Sequence, residues 1–347
     1  MKYHYKHVLK AYVFSYHFIG DVMLKKKAFR RILITTVALF IVLFVYTFVL
    51  KEDKTVIYDE AYYISSEDKR SIYCLNKDDY VSKTSIYVDK ELSLEDKVRS
   101  ILETMTMENN KNSLLPSYFQ PILPPNTKVL DVILDNDVLR VYFSLEFLEA
   151  TSEQSTKMIE AITYSLLEFD DVLGVEIYVN GKLLEYAPNT NKKLPVVLTK
   201  DIGINKVYQI DSNKDISKVV LYYLTKDEES TYYVPVTKYV NDEREKLEII
   251  VDSLANEYFL DSSLISYLNV KTELVSYDIL EDSIMLYFNE DIYDDASTEY
   301  IKDEALNALV YSVFANYDTV ENLKIMVLDK EVFSSDRNIM QSIWGFF

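Results

Sequence analysis

Histidine and cysteine are nearly missing from this 347-residue chain. The three histidines, His4, His7 and His17, all fall within the first twenty residues, so no histidine triad or histidine-based zinc site can form beyond residue 50. Cys74 is the single cysteine and has no intramolecular disulfide partner, so an exported domain would depend on its core alone. The residue itself reads as a small buried hydrophobe. With 5 glycines and 7 prolines, the chain is also too poor in both for collagen, low-complexity linkers or glycine-built phosphate loops.

What is present is apolar and acidic. A hydrophobic content of 49% over this length can bury a sizeable core and suits about two domains. The net charge of −19 repels nucleic acid, and it is unevenly placed. Eight Lys or Arg stand against Asp21 in residues 1–50, giving +7, so the remainder carries −26.

Ile32 to Leu50 is an uncharged run of 19 residues. At 1.5 Å per residue it spans roughly 28 Å, close to the thickness of a hydrocarbon core, and it reads as a transmembrane helix. Lys25, Lys26, Lys27, Arg30 and Arg31 precede it, while Glu52, Asp53, Asp59 and Glu60 follow, so residues 1–31 are expected in the cytoplasm and the rest outside. The run is too long for a signal-peptide core, and Tyr46 to Lys51 offers neither a small-residue cleavage site nor a lipid-accepting cysteine, so the anchor is read as uncleaved. Two readings of the first 22 residues stay open: Met23 as the initiator, or a basic aromatic segment on the inner membrane face.

The external part repeats itself. Ile72 to Asp78 matches Leu221 to Asp227, and Val98, Ile101, Leu102 and Met105 match Leu247, Ile250, Val251 and Leu254, both at a shift of 149 residues. The second set is spaced i, i+3, i+4, i+7, which predicts one buried helical stripe in each copy. Ser93 with Asp96 forms a capping box for the first helix, and Asn241 or Asp242 is expected to cap the second. A hairpin follows in each copy (Val129–Leu134 with Leu139–Phe143; Leu274–Tyr277 with Ile284–Phe288). Next come a helix (Gln154–Phe169; Thr298–Phe314) and a closing strand (Val175–Val179; Leu323–Val327). The order strand, strand, helix, hairpin, helix, strand, twice over, predicts an α+β chain.

At these residues a family comes into view. Leu123-Pro124-Pro125-Asn126-Thr127-Lys128-Val129-Leu130, followed by Asp137 to Phe147, resembles the core motif of the sporulation and spore-germination domain called GerMN. Ser165, Phe169, Val172, Val175, Ile177 and Asn180-Gly181 continue the likeness, and Leu286 to Asn289 with Leu323 to Lys330 carry it into the second copy. The second copy departs from the pattern in lacking the proline turn and the Asn-Gly pair. The resemblance implies two tandem small α/β-sandwich domains of ring-building type, acting at the cell envelope as scaffold parts and not as catalysts. The expected layout is a cytoplasmic basic segment at 1–31, a transmembrane helix at 32–50, a tether at 51–67, domains at 68–186 and 215–333 joined by a linker at 187–214, and an aromatic tail at 334–347.

Catalytic patterns are weak by comparison. Glu146, Glu149, Glu290 and Asp291 follow strands, but with 55 acids beyond residue 50 such neighbours arise by chance. Asp211, Asn213 and Asp215 start like a calcium loop that Ile216 and Tyr222 break at its sixth and twelfth positions. Ser66-x-x-Lys69 has no companion motif. The expectation is a non-enzyme without cofactor or metal. The 30 tyrosines supply contact area, and Tyr118, Tyr142, Tyr232, Tyr233, Tyr287 and Trp344 are the candidate interaction residues. Expected partners are the membrane and envelope proteins or further copies of the chain, with peptidoglycan or another glycan as the alternative and nucleic acid excluded.

Overall fold

The computed structural model describes residues 67–226, 231–256 and 263–337, together with Arg31, Leu33, Ile34, Val37 and Leu39. Those four apolar residues of the expected anchor are helical and exposed; the rest of 32–50, and Trp344 in the tail, lie outside the described residues. Among the described residues no helix is long and apolar enough to cross a membrane.

The first repeat opens with a long hairpin, β1 (Glu67–Asn76) and β2 (Val81–Asp89), paired from Glu67↔Asp89 to Leu75↔Val81. Helix α1 (Leu94–Thr104) follows, started where expected because the Ser93 hydroxyl accepts from the Asp96 backbone N–H at 3.1 Å. Its stripe of Val98, Ile101 and Leu102 is fully buried. A short β3 (Phe119–Gln120) adds to β1. Next come β4 (Val129–Asp135), β5 (Val138–Phe143), helix α2 (Ser152–Leu166), β6 (Gly174–Val179) and β7 (Lys182–Leu183). They form a mixed sheet of order β4-β5-β6-β7, in which β5 and β6 run parallel across the α2 crossover.

After a connection that contains β8 (Val207–Gln209), the second repeat runs β9 (Ile216–Lys226), β10 (Thr231–Asn241), α3 (Lys246–Asn256), β11 (Leu274–Ile279), β12 (Ser283–Phe288), α4 (Asp303–Asn316), β13 (Asn322–Val327) and β14 (Lys330–Asp336). The order β11-β12-β13-β14 reproduces the first mixed sheet. Leu139, Val141 and Phe143 in one copy and Ile284, Leu286 and Phe288 in the other point inward, as the strand period requires.

Helix α3 starts at Lys246, later than either expected cap. Asn241 instead holds the loop before β9, accepting from Asp211 and Ser212 N–H, and Asp242 is tied to Arg244. Both copies close β6–β7 and β13–β14 with a two-residue turn at positive φ: Asn180-Gly181 in the first and Leu328-Asp329 in the second. The turn missing from the second copy by sequence is therefore present by geometry, on a residue poorly suited to it.

Each crossover helix seals the open edge of its hairpin with a buried serine. Ser165 on α2 donates to the Ala161 carbonyl and accepts from Tyr73 N–H of β1 at 2.7 Å. Ser312 on α4 does the same with Ala308 and Tyr222 N–H of β9 at 2.9 Å. An edge strand whose amides are met by side chains cannot recruit another strand there.

Candidate functional site

The connection between the repeats is built into both of them. Leu198 exchanges backbone hydrogen bonds with Val175 of β6, the Tyr164 hydroxyl donates to the Lys200 carbonyl at 3.1 Å, and β8 lies parallel to the end of β10. At its centre Asn205, with φ 45°, reaches two strand edges at once. Its amide oxygen accepts from Val81 N–H at 2.9 Å, and its amide nitrogen donates to the Val81 carbonyl at 2.7 Å and the Pro235 carbonyl at 2.8 Å. Only a side-chain amide offers a donor and an acceptor in that arrangement, and Pro235 has no N–H to leave unmet. Glu160 of α2 accepts from Asn205 N–H at 2.9 Å and forms a buried ion pair with Lys206. Further bonds cross the junction: Tyr118 stacks on Tyr232 at 5.7 Å, and the Thr225 hydroxyl donates to Asp78 at 3.2 Å. One continuous apolar core runs through both repeats.

This junction leaves a cleft of about 550 Å³. Tyr73 and Tyr164 line it from the first repeat, with Tyr222 on β9 and Asn316 at the end of α4 from the second. Lys200, Lys218, Lys246 and Arg337 bring positive charge to it, against Asp201 and Asp318. Lys218 lies 3.2 Å from Asp201, and Arg337 is fixed by donating to the Val320, Phe314 and Tyr317 carbonyls. Behind the tyrosines Lys83 and Glu168 pair at 2.6 Å, both nearly buried. Burial raises the Tyr73 hydroxyl well above the ordinary range, helped by the Glu168 charge, and lowers Lys83 against the pull of the same carboxylate.

The second candidate region is the outer face of each mixed sheet. Tyr142 stacks on Tyr178 at 4.8 Å, beside Arg140, which bridges Glu176 and Asp135, each at 3.0 Å. The Tyr178 hydroxyl donates to Glu176, which raises its pKa. In the second copy Tyr287 occupies the position of Tyr142, donating to Asp278 at 3.1 Å, beside Met326. Exposed Ile133 and Val275 border these faces.

Of the expected tyrosines, then, Tyr142 and Tyr287 stand on open sheet faces. Tyr118 packs on the junction, and Tyr232 and Tyr233 are only 8% and 7% exposed, their rings held by Tyr118 and by Tyr311. Cys74 is buried, its thiol pushed up to about 12 by burial. Glu149, Glu290 and Asp291 are exposed residues of short 3-10 helices that follow the strands. Among the described residues no cluster of His, Cys, Asp or Glu could hold a metal ion.

The family model described as "Germane: Sporulation and spore germination" matches residues 62–185 and 220–333, one segment for each repeat. This chain belongs to that family. Its relatives include the spore germination protein GerM of Bacillus subtilis (strain 168), 27% identical over 279 residues, which span 79% of this chain and 75% of that protein. A solved structure of the tandem GerMN domains of the sporulation protein GerM from Bacillus subtilis superposes with a TM-score of 0.69 at 25% identity, covering 76% of this chain and 92% of that one. The two matched segments of this family member hold the mixed sheets and Ser165 and Ser312, but not Asn205, Lys200, Lys218 or Arg337. Lys246 and Asp318 of the cleft lie inside the second segment. In the sequence Lys200 and Asn205 show only as part of a polar stretch read as a linker, whereas Tyr118 and Tyr232 of the junction are among the expected interaction residues.

Proposed function

We propose that this family member is a membrane-anchored scaffold or interaction protein of the bacterial cell envelope, serving spore formation or germination. A single span at 32–50 would hold residues 1–31 in the cytoplasm and both repeats outside. The role is non-catalytic and needs no cofactor. The observation that carries this reading is the pair of repeats welded into one unit, each turning the open face of a mixed sheet outward, in a family named for sporulation and spore germination.

Its mechanism is surface association. Ser165, Ser312 and Asn205 seal the hairpin edges at Tyr73, Tyr222 and Val81, so association between envelope modules falls mainly to the faces around Tyr142 with Tyr178 and around Tyr287. Anchoring confines partners to the membrane plane and raises their effective concentration. The stacked Tyr142 and Tyr178 also favour a second reading, a glycan-binding module of the wall. Light scattering on residues 51–347 across concentration, alone and with muropeptides, separates the two. Mass that rises with concentration supports the scaffold; a strict monomer that binds muropeptides supports the wall module.

A further inference from the structure

In the cleft between the repeats an acidic chain turns basic. Residues beyond 50 carry a net −26, yet the cleft lining has four cations against two acids; of the four, Lys200 also lies 3.8 Å from the Glu168 carboxylate behind the tyrosines. Lys246 makes no ion pair among the described residues, while Lys218 shares its charge with a fully exposed Asp201. The floor is aromatic, and the volume lies within the roughly 300–1,000 Å³ usual for ligand sites.

The wall formed by β9 adds a directional feature. On the side facing the cleft, the Asn316 side chain takes up Val220 N–H and C=O, and Ser312 takes up Tyr222 N–H. Nearer the start of the strand, Ile216 and Lys218 turn their backbone groups to the same side, and among the described residues no strand pairs with them there. An extended peptide offers what such a wall lacks: a backbone to continue the ladder and side-chain carboxylates for the lysines. A small inorganic anion would use neither the strand edge nor the tyrosine floor.

We propose that this cleft binds an extended, carboxylate-bearing peptide segment of a protein partner. Its backbone lies against β9 at Ile216 to Lys218 and its carboxylates meet Lys218 and Lys246, with Lys200 and Arg337 adding to the positive potential. Both repeats furnish the walls, so the site exists only in the tandem arrangement. It names a partner chemistry for the interaction role and rests on that role only in taking the partner to be a protein. The sheet faces take no part in it.

The test is fluorescence anisotropy with the full chain in detergent, using a labelled Asp-Glu-Val-Asp-Glu-Val peptide and its amide counterpart Asn-Gln-Val-Asn-Gln-Val. The acidic peptide is expected to bind at least about ten-fold more tightly at low salt and to weaken as ionic strength rises. Lys218→Gln and Lys246→Gln should each weaken it by about two- to five-fold, the range for a partly exposed ion pair. Lys218→Glu with Lys246→Glu should remove the preference, and Asp318→Asn should tighten binding, a gain that misfolding cannot imitate. Equal binding of the two peptides, or indifference to the double charge reversal, would overturn the proposal. So would tighter binding of the wall stem peptide L-Ala-D-Glu-diaminopimelate, which would reassign the cleft to peptidoglycan. The readout is independent of association: a monomeric chain can still bind the peptide, and a self-associating one can fail to.

Discussion

Replacing Asn205 by alanine should loosen the two repeats from one another. The substitution removes three hydrogen bonds, two to Val81 and one to Pro235, on strands that are otherwise buried at those residues. At about 1 kcal/mol net for each bond, and more for any group left dry, the loss is about 3 kcal/mol. Alanine at φ 45° adds about 1 kcal/mol that asparagine largely avoids. Water entering from the adjoining cavity, which Asn205 itself lines, gives some of this back. The expected destabilisation is therefore about 3 kcal/mol for Asn205→Ala and about 2 kcal/mol for Asn205→Gly, which tolerates the backbone but makes none of the bonds. Urea unfolding followed by circular dichroism measures both, and native-state hydrogen exchange at the Val81 amide localises the effect. An alanine variant within about 0.5 kcal/mol of the parent, or Val81 protection unchanged, would refute the view that this side chain joins the repeats.

The duplicated serines should behave as equivalents: Ser165→Ala and Ser312→Ala each strand a strand amide and should cost about 1–3 kcal/mol in urea unfolding, with unequal values arguing against a shared role. Leu328→Asn should stabilise the chain by about 1 kcal/mol, because an exposed leucine at φ 48° occupies a turn position that asparagine fills with less strain; a lower melting temperature would count against the turn assignment. For the buried Lys83–Glu168 pair, Glu168→Gln alone should cost about 3–5 kcal/mol and the Lys83→Met/Glu168→Leu double variant much less, a difference read from a double-mutant cycle. Hydrogen bonds from Arg244 hold the Asp242 carboxyl below its ordinary range, so its contribution is complete above the unfolded value of about 3.9 and lost as pH falls through the lower folded one; Asp242→Asn should lower the melting temperature at neutral pH, leave the most acidic end little changed and so flatten the acid limb of the curve.

Much of the fold was legible because each repeat is locally coded. The apolar stripe of α1, the Ser93 cap and the alternation in β5 act over a few residues, and the blocks recur in order, so one copy checks the other. The pentapeptides Ala161–Ser165 and Ala308–Ser312 match one another, so a hydroxyl recurs at Ser165 and Ser312, though their strand partners lie more than 80 residues away. What stayed hidden is non-local. Asn205 looks like any polar linker residue until Val81 and Pro235 are brought to either side of it, and four cations far apart in sequence converge only when the repeats close on each other. Tyr232 and Tyr233 follow the strand alternation of their neighbours, but both faces of β10 are covered at that point, which a period of two cannot reveal.

The most direct test of the account is sedimentation velocity on residues 51–347, comparing the parent with a Tyr142→Asp/Tyr287→Asp variant whose urea unfolding matches it. Association of the parent that rises with concentration and is lost in the variant is the predicted result. A parent that stays monomeric throughout, or a variant that associates equally well, would contradict docking through the open sheet faces.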